Sequence, residues 1–139
     1  MIRAVLDTNV IISALLFEGT ANRFVPLWKK HRFWLVVSKE IIKEYLGVLA
    51  YPKFDLSAEE IKSIAANELL PFVHPVRVTE IRPVIQEDPS DDMFLACALA
   101  GKCQYLVSGD RHLLALKRYH RTSIISVAAF LNLFPRETS

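Results

Sequence analysis

The 139-residue chain has little cysteine: Cys97 and Cys103 are its only two. They lack the CxxC spacing and the histidine pair of a zinc site, and two thiols make no disulfide framework, so a reducing compartment suits the chain best. A strong charge of one sign is also missing. Seventeen basic against fifteen acidic side chains leave a formal net charge of +2, which excludes the strongly basic balance that by itself marks a nucleic-acid binder. Nor is there a long hydrophobic run. The longest, Val10 to Phe17, contains Ser13 and is less than half of the roughly 20 residues a membrane helix needs. Met1-Ile2-Arg3 leads straight into a strand-like run without the charged, apolar and small-residue order of a signal peptide, so a cytoplasmic protein without membrane contact is expected. His31, His74, His112 and His120 show no ligand spacing such as HxxxH and read as surface or loop residues. Internal repeats and low-complexity segments are absent.

What is present is apolar content, 52% of the sequence, ample for a sizeable core in one domain spanning residues 1–139. Ile2 to Leu6 reads as a buried strand that stops at Asp7-Thr8-Asn9, after which Val10, Ile11, Ala14, Leu15 and Leu16 recur at helical spacing. Ala21 to Lys30 offers a second helix and Phe33 to Val37 a second strand. Ser38 caps a helix over Lys39 to about Ala50, which Pro52 ends. Ser57 to Glu60 has capping-box spacing and opens a helix toward Leu70. Phe72 to Val78, interrupted by Pro75, predicts an edge strand, because proline cannot donate to a central ladder. Arg82 to Pro89 reads as a surface loop, and Ser90 or Asp91 caps a helix through Ala100 with Gly101 just past its end. Tyr105 to Ser108 is a strand, Arg111 to Lys117 a short helix, Ser123 to Ser126 a last strand and Val127 to Leu133 a terminal helix. Continuous apolar strands alternating with helices predict an α/β fold, a three-layer α/β/α domain with a mostly parallel sheet.

In such sheets ligands sit beyond the carboxyl ends of the strands, where strand order reverses. Asp7 follows the first strand directly, and Asp110 follows the Tyr105 to Ser108 strand after one glycine. If the strand order is 3-2-1-4-5, both carboxylates face one crevice. Glu44 lies at the border of the buried helical face marked by Ile41, Tyr45 and Leu46, and is preferred over Glu40, which can pair in solvent. Asp91 and Asp92 open a later helix, where the macrodipole favours carboxylates with no function at all; Asp7 and Asp110 could likewise serve only as caps. The functional reading rests on joint occurrence. Carboxylates converging on one crevice repel each other unless cations neutralise them. All-oxygen donors select hard ions such as Mg²⁺ or Mn²⁺, which activate water and stabilise a leaving oxygen. Ser108 is placed to position a ligand or a water, although a polar strand end needs no such role.

With these residues in place the chain resembles the PIN-domain family, in particular the prokaryotic toxin components of toxin-antitoxin pairs. The resemblance is carried by Val5-Leu6-Asp7-Thr8-Asn9, by Ser38 through Glu44 with Val48-Leu49-Ala50-Tyr51-Pro52-Lys53-Phe54, by Asp88 through Ala96, and by Tyr105 through Asp110. It implies Asp7, Glu44, Asp92 and Asp110 as catalytic metal-binding acids, with Thr8 or Asn9 ordering the first, and selects Asp92 over Asp91 by its spacing to Leu95 and Ala96; Asp91 is kept as an assisting residue. The implied activity is Mg²⁺- or Mn²⁺-dependent hydrolysis of single-stranded RNA by activated water, without a covalent intermediate. An antitoxin protein and a homodimer are the implied partners.

Three rivals follow different chemistry. A phosphatase of the haloacid-dehalogenase type wants a second aspartate two positions after the first, where Asn9 stands. A receiver-like phospho-acceptor domain wants an aspartate after its third strand and a lysine after its fifth, and neither is evident. A module that keeps the fold and binds metal or RNA without cutting is the third. Phe17, Phe24, Trp28 and Trp34 are spaced to form core more readily than an interface. Basic residues at Lys29, Lys30 and Arg32 and at Lys117, Arg118 and Arg121 are read either as phosphate grips or as solvated helix ends.

Overall fold

Short apolar strands, each closed by a polar capping residue, set the architecture. The computed structural model describes residues 1–80 and 91–135, so the expected loop from Arg82 to Pro89 and the capping role of Ser90 lie outside the described residues. The strands are β1 (Arg3–Leu6), β2 (Trp34–Val37), β3 (Val73–Pro75), β4 (Tyr105–Val107), β5 (Arg118–Tyr119) and β6 (Thr122–Ile125). The helices are α1 (Thr8–Leu16), α2 (Phe24–Lys29), α3 (Lys39–Leu49), α4 (Ala58–Ile64), α5 (Asp92–Ala100), α6 (Arg111–Leu116) and α7 (Val127–Leu131). The sheet order is β3-β2-β1-β4-β6-β5, parallel except for the β5 and β6 pair. Helices cover both faces in a three-layer α/β/α arrangement. The five parallel strands therefore take the 3-2-1-4-5 order expected of them. The added β5 is two residues long, too short for any periodic signal, and its turn through His120 (φ 53) uses no glycine.

Caps fix the helix starts. Asp7 accepts the Val10 N–H at 3.0 Å, Ser38 accepts the Ile41 N–H at 3.2 Å, and Ser57 and Glu60 exchange both capping-box bonds at 3.0 Å. Two expected helices are broken. Residues 20 to 29 divide into a 3₁₀ turn (Thr20–Arg23) and α2, which places Pro26 in the first turn of a new helix, where its missing N–H costs nothing. The helix after Ser57 leaves α geometry at Ala65 for a wide π turn (Ala65–Leu69) and then a 3₁₀ turn around Pro71. The Glu68 carbonyl in that turn accepts Trp28 Nε1 at 2.7 Å, satisfying the one polar atom of a fully buried indole. Pro75 closes β3 at the sheet edge, as its lack of a donor demands.

The core lies between sheet and helices. Leu6, Leu35, Val36, Leu106 and Val107 from the strands meet an aromatic cluster in which Phe130 stacks on Phe24 at 5.6 Å and meets Phe33 edge-on at 5.1 Å. Phe24 and Trp28 are core residues, Trp34 is half-buried, and Phe17 is 52% exposed. Among the described residues no single helix is long and apolar enough to cross a membrane.

Candidate metal-binding active site

The parallel pairing of β1 with β4, Leu6 opposite Val107, brings two polar strand ends side by side. The Asp7 N–H continues the ladder to the Val107 carbonyl at 3.1 Å. Past that bond the chains separate, and a crevice of about 340 Å³ opens over the carboxyl ends of the strands. Asp7 lines it from the start of α1, Glu44 from α3, Asp91 from the residue before α5, and Asp110 from the start of α6. Thr8 and Asn9 line it as well.

Asp7 is the most constrained of these acids, at 5% exposure. One oxygen accepts the Val10 N–H, and the other accepts the hydroxyl of the fully buried Ser108. Ser108 Oγ in turn accepts the Asp110 N–H at 2.9 Å, so one hydroxyl ties the two strand-end aspartates together. Burial pushes the Asp7 carboxyl above its usual 3.8, and the charge of Asp110 pushes the same way. The bonds from Ser108 and Val10 oppose the rise without cancelling it. Asp110 caps α6, accepting the His112 and Leu113 N–H groups at 2.8 and 3.1 Å on a single oxygen. Its capping is therefore real and coexists with a place in the crevice.

Glu44 is half-buried and accepts the Thr8 hydroxyl at 3.3 Å. Its neighbour Tyr45 is fully buried and donates to the Leu6 carbonyl at 2.5 Å, pinning α3 to the end of β1. Burial raises the Tyr45 phenol well above its ordinary value, so it stays a donor. That tether holds Glu44 beside Asp7, and sequence reading had treated Tyr45 only as an apolar-face residue. Glu40, one turn earlier, is exposed and faces a different groove, with Val73 and Arg77.

The adjacent aspartates separate. Asp91 faces the crevice with Phe94, whereas Asp92 lines a cavity on another side of α5 with Leu95, Leu99 and His120. Neither the spacing to Leu95 nor the helix-start position distinguishes them, since consecutive helical residues point about 100° apart. Asp91 makes no capping bond to the helix. Lys53 also lines the crevice, from a 3₁₀ turn after α3; it carried no role in the sequence reading. Of the basic residues read either as phosphate grips or as solvated helix ends, Lys29 pairs with Glu68 at 2.5 Å, and Lys30 and Arg32 border a groove with Phe134, away from the crevice.

Among the described residues no three carboxylate, imidazole or thiolate side chains stand close enough to enclose an ion by themselves. The donors nonetheless fit a hard cation. They are all oxygen, and Mg²⁺ is commonly held by one or two carboxylates while keeping several waters, which an open crevice permits. Burial of Asp7 beside Asp110 also leaves a negative site that a cation would relieve.

A solved structure of VapBC2 from Rickettsia felis, bound to a DNA fragment from their promoter, superposes with a TM-score of 0.64 at 14% identity, over 90% of this chain and 98% of that one. At that identity the likeness establishes the fold. No curated protein matches the sequence. The model of the PIN domain matches residues 3–112, from the first strand through Asp110 and into α6, and the chain therefore belongs to the PIN domain family.

Proposed function

We propose that this protein is a divalent-cation-dependent endoribonuclease that hydrolyses single-stranded RNA. The observation that carries the reading is the meeting of Asp7, Glu44, Asp91 and Asp110, from four separate elements, in one crevice over the carboxyl ends of β1 and β4. When bound, Mg²⁺ or Mn²⁺ supplies neutralisation of these carboxylates and activation of a water toward a phosphodiester. The protein's own groups supply position. Val10 N–H and Ser108 fix both oxygens of Asp7, Thr8 orients Glu44, and the α6 N-terminus holds one oxygen of Asp110. Ser108 is wholly buried and its proton is committed to Asp7, so it is a positioning residue and water is the attacking group, without a covalent enzyme intermediate. Asp91 takes the place in the crevice that the family resemblance gave to Asp92.

The family membership and the fold shared with VapBC2 support a toxin of a toxin-antitoxin pair, and an antitoxin protein and a second copy of the chain are proposed as partners on the same ground. The test is incubation of purified protein with single-stranded RNA in Mn²⁺, in EDTA, and as the Asp7→Asn variant. Cleavage by the wild type in Mn²⁺ alone is the expected result, with the variant slower by roughly a hundredfold or more. Identical RNA patterns from wild type and variant in Mn²⁺ leave a PIN fold that binds without cutting.

A further inference from the structure

The acidic crevice continues into a second groove. Asn9, Ile12, Lys53 and Phe54 line both, and the second extends along α1 to Phe17 with a volume of about 600 Å³, within the range of ligand clefts. The charge changes along this path. The crevice is lined by four carboxylates, whereas among the described residues the groove's one charged lining group is Lys53. Aromatic surface appears at the same boundary. Phe17 and Tyr51 are 52% and 50% exposed, and the Phe17 and Phe54 rings lie 6.2 Å apart at a 55° tilt. Lys53 Nζ stands 5.1 Å from the Phe54 ring centre.

The turn that presents Tyr51, Lys53 and Phe54 is closed by its own backbone bonds. Pro52 fixes one backbone angle, the Tyr51, Phe54 and Asp55 N–H groups bond back to Val48, Tyr51 and Pro52 at 3.0 to 3.1 Å, and Asp55 closes the turn at φ 50. Exposed Tyr51 and half-buried Phe54 on this turn, with exposed Phe17 against it and one cation beside them, match the way single-stranded nucleic acid is held. Bases stack on π faces without sequence preference while a basic group meets the phosphate. The lysine and asparagine shared with the carboxylate crevice set the rings next to the proposed cleavage site, which favours the substrate strand as occupant.

We propose that Phe54, Phe17 and Tyr51 form a base-stacking subsite for single-stranded RNA, with Lys53 on the adjoining phosphate, holding the strand so that the neighbouring phosphodiester lies over the acids. The inference rests on the nuclease reading for its substrate. It is tested by fluorescence anisotropy of fluorescein-labelled oligouridylate and oligoadenylate, in an Asp7→Asn background to prevent cleavage. Phe54→Ala and Phe54→Leu are expected to weaken binding roughly tenfold, Phe54→Trp to retain it, and duplex RNA to be indifferent to all three. Circular dichroism confirms that each variant is folded, and the Leu variant keeps apolar bulk without a π face. Wild-type affinity in Phe54→Leu, with cleavage by the Asp7-containing enzyme intact, overturns the subsite and leaves the nuclease reading standing. Absence of cleavage with affinity still lost on Phe54→Leu removes the nuclease reading and upholds the subsite as a single-strand binding surface. A change confined to self-association in sedimentation, with RNA affinity untouched, assigns the rings to a protein interface and overturns the proposal.

Discussion

Asp7 carries opposite demands in the folded chain and in the reaction. Its carboxyl is almost wholly buried, and desolvation raises its pKa above the ordinary 3.8. An acid whose folded pKa exceeds its unfolded one favours folding most when protonated, below the unfolded value, and loses that contribution as pH rises through the folded one. At neutral pH without a cation the ionised Asp7 therefore weakens the fold. Asp7→Asn keeps an acceptor for Val10 N–H while setting an amide N–H against Ser108 Oγ, and is expected to raise the melting temperature in EDTA by a few degrees while slowing cleavage in Mn²⁺ by roughly a hundredfold or more. Differential scanning calorimetry decides this, and a lowered melting point with normal secondary structure would show that the Ser108 bond to the carboxylate outweighs the cost of burying the charge. The same scale separates Asp91 from Asp92. Asp91→Asn is expected to slow RNA cleavage by at least tenfold, and Asp92→Asn to leave it within about threefold, because their side chains line different cavities. Rates measured side by side in Mn²⁺ give the answer, and the reverse order would return the role to Asp92. That Asp7, Asp110 and Glu44 would line one crevice was legible in the sequence because strand ends and a helix border locate them. The choice between Asp91 and Asp92 was not, because the rotation of α5 about its axis is set by what packs against it.

At the scale of elements, the end of α5 calls for a glycine on grounds of space alone. Gly101 follows the helix with φ −84, and the left-handed residue is Lys102 at φ 53. A Cβ at Gly101 would meet Val36 Cγ1 at 2.8 Å, with Cys103 Sγ and the Cys97 carbonyl at 3.2 Å. The close approach of α5's end to β2 is the constraint. Gly101→Ala is expected to destabilise by about 1 to 3 kcal/mol through overpacking, with metal-dependent cleavage retained by the folded fraction. Urea denaturation measures it, and an unchanged midpoint would mean that Val36 moves aside freely. The starts of α1, α3 and α4 were readable, since Asp7, Ser38 and Ser57 announce them by local chemistry, whereas α2 begins at Phe24 without a side-chain cap. Helix continuity was less so. The helical pattern persists through Ala65 to Leu69, but there the chain widens into a π turn whose Glu68 carbonyl meets the distant Trp28.

Across the whole molecule, burial governs the two thiols. Cys97 and Cys103 are each pushed up to about 12, by desolvation first, and for Cys97 also by Cys103. Each thiol's contribution to stability is complete below its unfolded value near 9 and is lost as pH rises toward 12. Iodoacetamide at pH 8.5 is accordingly expected to leave the native protein unmodified for hours and to label both cysteines at once in urea, as mass spectrometry would reveal; rapid native labelling would contradict the packing around β4 and α5. The amino-acid order by itself determined the parallel α/β class, the edge position of the proline-bearing third strand and the aspartates at two strand ends, because period, capping and proline chemistry act over a few residues. Tertiary structure alone decided that Tyr45 locks α3 to β1, that Asp91 and not Asp92 enters the crevice, and that Phe17 and Phe54 share one groove. Those pairings join residues far apart in the chain, and their geometry depends on how helices seat on the sheet, which no local pattern encodes.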